Sequence, residues 1–85
     1  MYDIILSKRV KKFLDKLNSK DRERIIYSLE KLSIRPRSYL KRLVGEKSYK
    51  FRVGDYRIIV DLEKDKLLIL VIDIGHRKNI YKKRR

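Results

Sequence analysis

Six side chains carry most of the chemistry this sequence can offer. Lys50, Arg52 and Arg57 lie in the segment YKFRVGDYRIIV, and His76, Arg77 and Tyr81 lie in the segment GHRKNIY. If Gly54-Asp55 is the two-residue turn of a hairpin, Arg52 stands directly opposite Arg57, and Lys50 shares their face. Like charges opposed on paired strands repel, by roughly 0.2–1 kcal/mol. A phosphate held between them reverses the sign of that term, so the row reads as an anion site. It reads equally as an ordinary strand face whose arginine stems flare apart into water.

RNA would suit such a site, because it brings its own nucleophile. The 2′-OH can attack the adjacent phosphorus with no metal-bound water. The protein must then align the attack, stabilise the phosphorane oxygens and manage two proton transfers. Guanidinium and ammonium groups serve the second need, each typically worth a few kcal/mol. His76 is the only imidazole, a side-chain type suited to general acid–base work. A lone histidine serves more often in hydrogen bonding or stacking. Tyr81, in a basic tail, could stack on a base or bond a phosphate, or simply pack against the domain.

Other chemistries are excluded or weakened by what is missing. The chain has no cysteine, so it offers no disulfide and no thiolate, and one histidine is too few for a usual zinc site. No HxxxH, CxxC, glycine-rich phosphate loop or nucleophile elbow occurs. Asp61, Glu63, Asp65 and Asp73 are spread along strands and a turn, with no evident metal cluster. A metal-dependent nuclease is therefore disfavoured, and neither a cofactor nor a small-molecule ligand is expected. The net charge is +14 on 85 residues, from 25 basic and 11 acidic side chains. Heat-adapted surfaces are also rich in charge, but they favour networks of both signs. A one-sided surplus points to a polyanion such as nucleic acid, and an acidic protein partner fits it too. The apolar run near the N-terminus is too short for a signal peptide, and no segment approaches the roughly 20 residues of a membrane span. A cytoplasmic protein with no membrane partner is expected.

The elements that must position these residues follow from periodicity. Tyr2–Leu6 reads as a strand, and Ser7 as the N-cap of a helix whose stripe is Val10, Phe13, Leu14 and Leu17. Asn18-Ser19 breaks that helix and caps another, with Asp21 and Glu23 in its first turn. Ile25, Ile26, Leu29 and Leu32 form the second stripe, until Pro36 forbids further helix. Leu40–Val44 is a short strand or an extended lead-in. Tyr49, Phe51 and Val53 alternate with Lys50 and Arg52, so the aromatics belong to the core and the cations to the other face. Gly54 suits a type II′ turn. Tyr56–Leu62 is the next strand, and Leu67–Ile74, apolar on both faces, is expected to be the most buried one. The expectation is one α+β domain over residues 1–85: an N-terminal strand, an αα-hairpin, then a C-terminal antiparallel meander with the helices on one face. Such a small domain buries only about 60–65% of its unfolded surface, so its core is thin.

The pair RVGDYR and IGHRKNIY, within YKFRVGDYRIIV and LLILVIDIGHRKNIY, closely resembles the RelE branch of the RelE/ParE toxin superfamily. The preceding strand, helices and KRLVG run agree, so the resemblance covers essentially the whole chain. It implies a toxin of a type II toxin–antitoxin system that cleaves mRNA in the ribosomal A site without metal and is silenced by a cognate antitoxin. Contact with ribosomal RNA through the basic surface goes with that activity. By resemblance, Lys50 matches a lysine implicated in catalysis, and Arg57 the arginine held to stabilise the transition state. Arg77 matches an arginine proposed to protonate or stabilise the leaving 5′ oxygen. Tyr81 matches a tyrosine that stacks on a base and orients the nucleophile, at a shorter spacing from Arg77.

Arg52 departs from the pattern, standing where well-known members carry a lysine thought to act as base. Arginine stays protonated and is a poor base. Lys50 or His76 then takes that role, with Lys50 preferred because lysine deprotonates more readily when desolvated or among cations. Two other readings share the resemblance. One is a ParE-like toxin that binds gyrase; the other is a degenerate toxin that only binds antitoxin or DNA.

Overall fold

The structure, a computed structural model, describes residues 1–42 and 48–76, and of Arg42 the backbone alone. Strand β1 (Asp3–Leu6) leads into helix α1 (Lys8–Lys16) and helix α2 (Ser19–Ile34). Ser7 caps α1, accepting the Val10 N–H at 3.2 Å, and Asn18 caps α2, accepting the Asp21 N–H at 2.9 Å. Only Asp21 falls in the first turn of α2; Glu23 lies one residue beyond it. The carbonyls at the end of α1 are satisfied from the next helix. Arg22 donates Nε–H to Leu14 O at 2.9 Å and Nη2–H to Leu17 O at 2.8 Å, which fixes the angle of the αα-hairpin.

Pro36 does not simply end the helical region. It opens a further short helix, α3 (Pro36–Tyr39), at the first helical position, where a missing N–H costs nothing. Strand β2 (Lys41–Arg42) follows, starting one residue later than the expected Leu40–Val44, whose last two residues lie outside the described ones. Strands β3 (Tyr49–Val53), β4 (Tyr56–Glu63) and β5 (Leu68–His76) form the meander.

The sheet order is β1-β5-β4-β3-β2, with β1 parallel to β5 and the other pairs antiparallel. The helices cover one face. Val10, Leu14, Ile25, Leu29 and Leu32 meet Phe51, Val53, Ile58, Val60, Ile69, Val71 and Ile74 in a single core. Tyr49 packs at its margin, whereas Ile26 is turned out to solvent. Strand β5 is not the most buried strand, contrary to expectation. It starts at Leu68, because Leu67 adopts a left-handed φ of 53°, and its Ile72 is exposed. Ile72 falls where the β4–β5 register slips, between the pairs Ile59↔Asp73 and Val60↔Val71. Strand β4, at the centre of the sheet, instead carries four consecutive buried residues, Arg57–Val60.

Candidate active site

The β3–β4 hairpin turns at Gly54 with φ +58°. Asp55 keeps a negative φ, as a type II′ turn requires and a type I′ turn would not allow. The register is the one this turn dictates: Val53↔Tyr56, Arg52↔Arg57 and Lys50↔Ile59. Partners in a ladder share a face, so Lys50, Arg52 and Arg57 do lie together, on the face away from the helices. The pairing Lys41↔Lys50 brings in a further cation from β2. On the other side Arg57 is paired with Gly75, which places no side chain against it.

These cations differ in environment. Arg57 is 7% exposed, Lys50 half-buried, and Arg52 and Lys41 open to water. Together with Tyr39 and Phe51 they line a cavity of about 230 Å³. Its position follows from the short β2, which pairs only with Tyr49 and Lys50 and leaves the edge of β3 from Phe51 onward without a strand partner among the described residues. Lys41 and Tyr39 were not among the residues that the sequence brought forward. The signal for Lys41 was its place in a basic extended run. For Tyr39 no local signal existed, because its position depends on α3.

His76 is not part of this row. It pairs with Tyr56, one residue on from the Arg57↔Gly75 pair, and so faces the helices. Its ring meets Tyr56 edge-on, with centroids 5.9 Å apart, and Tyr56 meets Phe13 of α1 in the same manner at 6.0 Å. The Tyr56 hydroxyl donates to Asp21 Oδ2 at 3.0 Å. Burial, then the hydrogen bond and charge of Asp21, raise the Tyr56 phenol above its ordinary value of 10.0. The expectation that His76 shares a site with the cationic row is therefore corrected by strand alternation: adjacent residues of β5 point to opposite faces. Arg77 and Tyr81 lie outside the described residues. Among the described residues, no group of three or more His, Asp or Glu side chains could hold a metal ion, and no helix is long and apolar enough to cross a membrane.

The helical layer packed on a mixed sheet is a fold that this chain shares with solved RelE toxins. The toxin–antitoxin complex RelB–RelE from Methanococcus jannaschii is similar at 28% identity and a TM-score of 0.75, covering 95% of this chain and 99% of that one. The intact Escherichia coli RelBE complex is similar at 26% identity and a TM-score of 0.76, over 89% and 96% of the two chains. The RelBE2 complex from Mycobacterium tuberculosis shares the fold at 20% identity and a TM-score of 0.80, over 89% and 98%. No curated protein sequence matches the chain. The family described as "ParE toxin of type II toxin-antitoxin system, parDE" matches residues 4–81, and the chain belongs to that family, within the RelE/ParE superfamily.

Proposed function

We propose that this toxin is a metal-independent endoribonuclease that cleaves mRNA in the ribosomal A site and so inhibits translation in the cytoplasm. The observation that carries this reading is the buried Arg57 facing the exposed Arg52 across one cavity, with Lys50 and Lys41 beside them. Such a cavity suits a phosphodiester whose charge grows during reaction. The substrate 2′-oxygen attacks phosphorus and forms the P–O2′ bond as the P–O5′ bond breaks. The products are a 2′,3′-cyclic phosphate and a 5′-OH. Arg57 and Arg52 stabilise the phosphorane oxygens. Lys50 takes the 2′-OH proton, since His76 stands on the opposite face. Arg77 returns a proton to the 5′ oxygen or stabilises its charge, and Tyr81 stacks on a base, as the resemblance implies.

The same reading includes a cognate antitoxin, since the similar structures from M. jannaschii and E. coli are RelB–RelE complexes. A net charge of +14 calls for an acidic, amphipathic antitoxin segment. Primer extension on a defined mRNA, with and without purified ribosomes and with end-group analysis, tests the proposal. Cuts with 5′-OH ends are expected. Cuts with 5′-phosphate ends would contradict the route. The ParE description of the matched family favours a second reading, a gyrase-binding toxin. Absence of cuts together with inhibition of gyrase supercoiling would establish that one instead.

A further inference from the structure

The cavity lining is of two chemical kinds. Lys41, Lys50, Arg52 and Arg57 provide positive charge; Tyr39 and Phe51 provide aromatic surface. Phe51 is committed to the core, but Tyr39 is 45% exposed. Its ring leans edge-on against Phe51, with centroids 6.1 Å apart and planes at 76°. The residue is also held from behind. The Leu40 N–H closes α3 onto Pro36 O at 3.0 Å, the Ser38 N–H bonds Arg35 O at 3.1 Å, and Pro36 is itself buried. Lys41, two residues on, is pinned to Lys50 by the β2–β3 ladder. A rigidly mounted aromatic ring thus borders the cations, with much of its surface open.

A solvated phosphate site has no need of an aromatic wall. A nucleotide does, because its phosphate and its base must be accommodated side by side. Stacking on an aromatic ring is sequence-tolerant, because every base has a π-face.

We infer that Tyr39 forms a nucleobase subsite beside the Lys50–Arg52–Arg57 row, stacking on the base of a nucleotide that flanks the scissile phosphate. Tyr39 is a substrate-positioning residue; it takes no part in proton transfer. This inference rests on the nuclease reading, and it adds a second stacking position to the one that resemblance gives Tyr81.

Single-turnover cleavage of a defined mRNA on purified ribosomes tests it, using the full chain as wild type, Tyr39→Phe and Tyr39→Ala. Each substrate is prepared intact and with an abasic residue at each nucleotide flanking the cut. Tyr39→Ala is expected to raise the half-saturating concentration on intact mRNA by roughly 5- to 100-fold, as loss of one base stack does. Tyr39→Phe should restore wild-type behaviour. At one flanking position the abasic substrate should bind wild type and Tyr39→Ala equally weakly, a readout that misfolding or lost packing cannot produce. Equal losses on intact and on every abasic substrate would overturn the subsite and give Tyr39 a structural role only. Unchanged cleavage by Tyr39→Ala would overturn it as well, while leaving the nuclease reading intact. Failure of the wild type to cut at all would instead remove the nuclease reading, and the subsite with it.

Discussion

Arg57 and Arg52 stand directly opposite each other across β3 and β4, yet Arg57 is 7% exposed and Arg52 is open to solvent. The asymmetry comes from their strands. Strand β4 is flanked on both sides, while the edge of β3 at Arg52 lies beyond the two-residue β2. A guanidinium fixed in the sheet therefore faces one that can swing. Preorganised donors act most strongly on developing charge, so the two arginines should not contribute equally.

Arg57→Ala is expected to reduce single-turnover mRNA cleavage by about 10²–10³, the usual cost of losing one preorganised donor. Arg52→Ala should cost clearly less. Thermal melts and antitoxin binding on the same samples separate lost chemistry from lost folding. Full toxicity retained in both variants would sink the ribonuclease proposal.

Lys50→Arg keeps the charge but removes a group able to accept a proton. Cleavage by this variant should fall by at least about tenfold while mRNA binding holds, as expected for loss of general base catalysis. His76→Gln should leave the cleavage rate near that of the wild type, because its ring packs on Tyr56 on the helix side. Its cost should appear as stability instead, about 0.5–1.5 kcal/mol for an aromatic contact of this kind. Rate constants and melts for the two variants check both statements. A large rate loss in His76→Gln alone would transfer the base role.

The raised Tyr56 phenol links stability to alkaline pH. Burial and Asp21 favour its neutral form in the fold. The unfolded chain ionises near pH 10, so this contribution is complete below that pH and is lost as pH rises through the higher folded value. Wild type should lose stability above about pH 10, with Tyr56→Phe losing less over that interval. At neutral pH, Tyr56→Phe should be less stable by roughly 1–3 kcal/mol, for a hydrogen bond to a carboxylate. Denaturant titrations at neutral and alkaline pH measure both.

Gly54→Ala should destabilise the hairpin. The turn holds φ at +58°, and an added Cβ would sit 3.2 Å from Arg24 Nη1. The guanidinium can shift, so the larger cost is the left-handed backbone, about 1–2 kcal/mol for a residue with a Cβ. That corresponds to a fall in Tm of about 4–8 °C for each kcal/mol in a domain of this size. Gly54→Asn should cost about as much, since the first central position of a type II′ turn calls for glycine. Calorimetry of both variants decides it.

The hairpin was legible in the residues because its constraints are local. Gly54 set the turn type, the turn set the register, and alternation sent Phe51 inward and Arg52 outward. The caps at Ser7 and Asn18 were likewise written in short-range chemistry. Charge alone pointed to a polyanion. What the sequence could not decide was every relation across the chain. The parallel docking of β1 on β5 joins residues some 65 apart, such as Ile4 and Ile69. The central place of β4 buries Arg57, and α3 after Pro36 swings Tyr39 to the cavity. His76 shows the distinction most sharply. Three residues of its neighbourhood, Gly75-His76-Arg77, suggested one site, but which face His76 takes depends on the β5–β4 register and its slip at Ile59/Val60. Local preferences determine turns and alternation; only the packing of one element on another selects which face meets the core and which is left to bind.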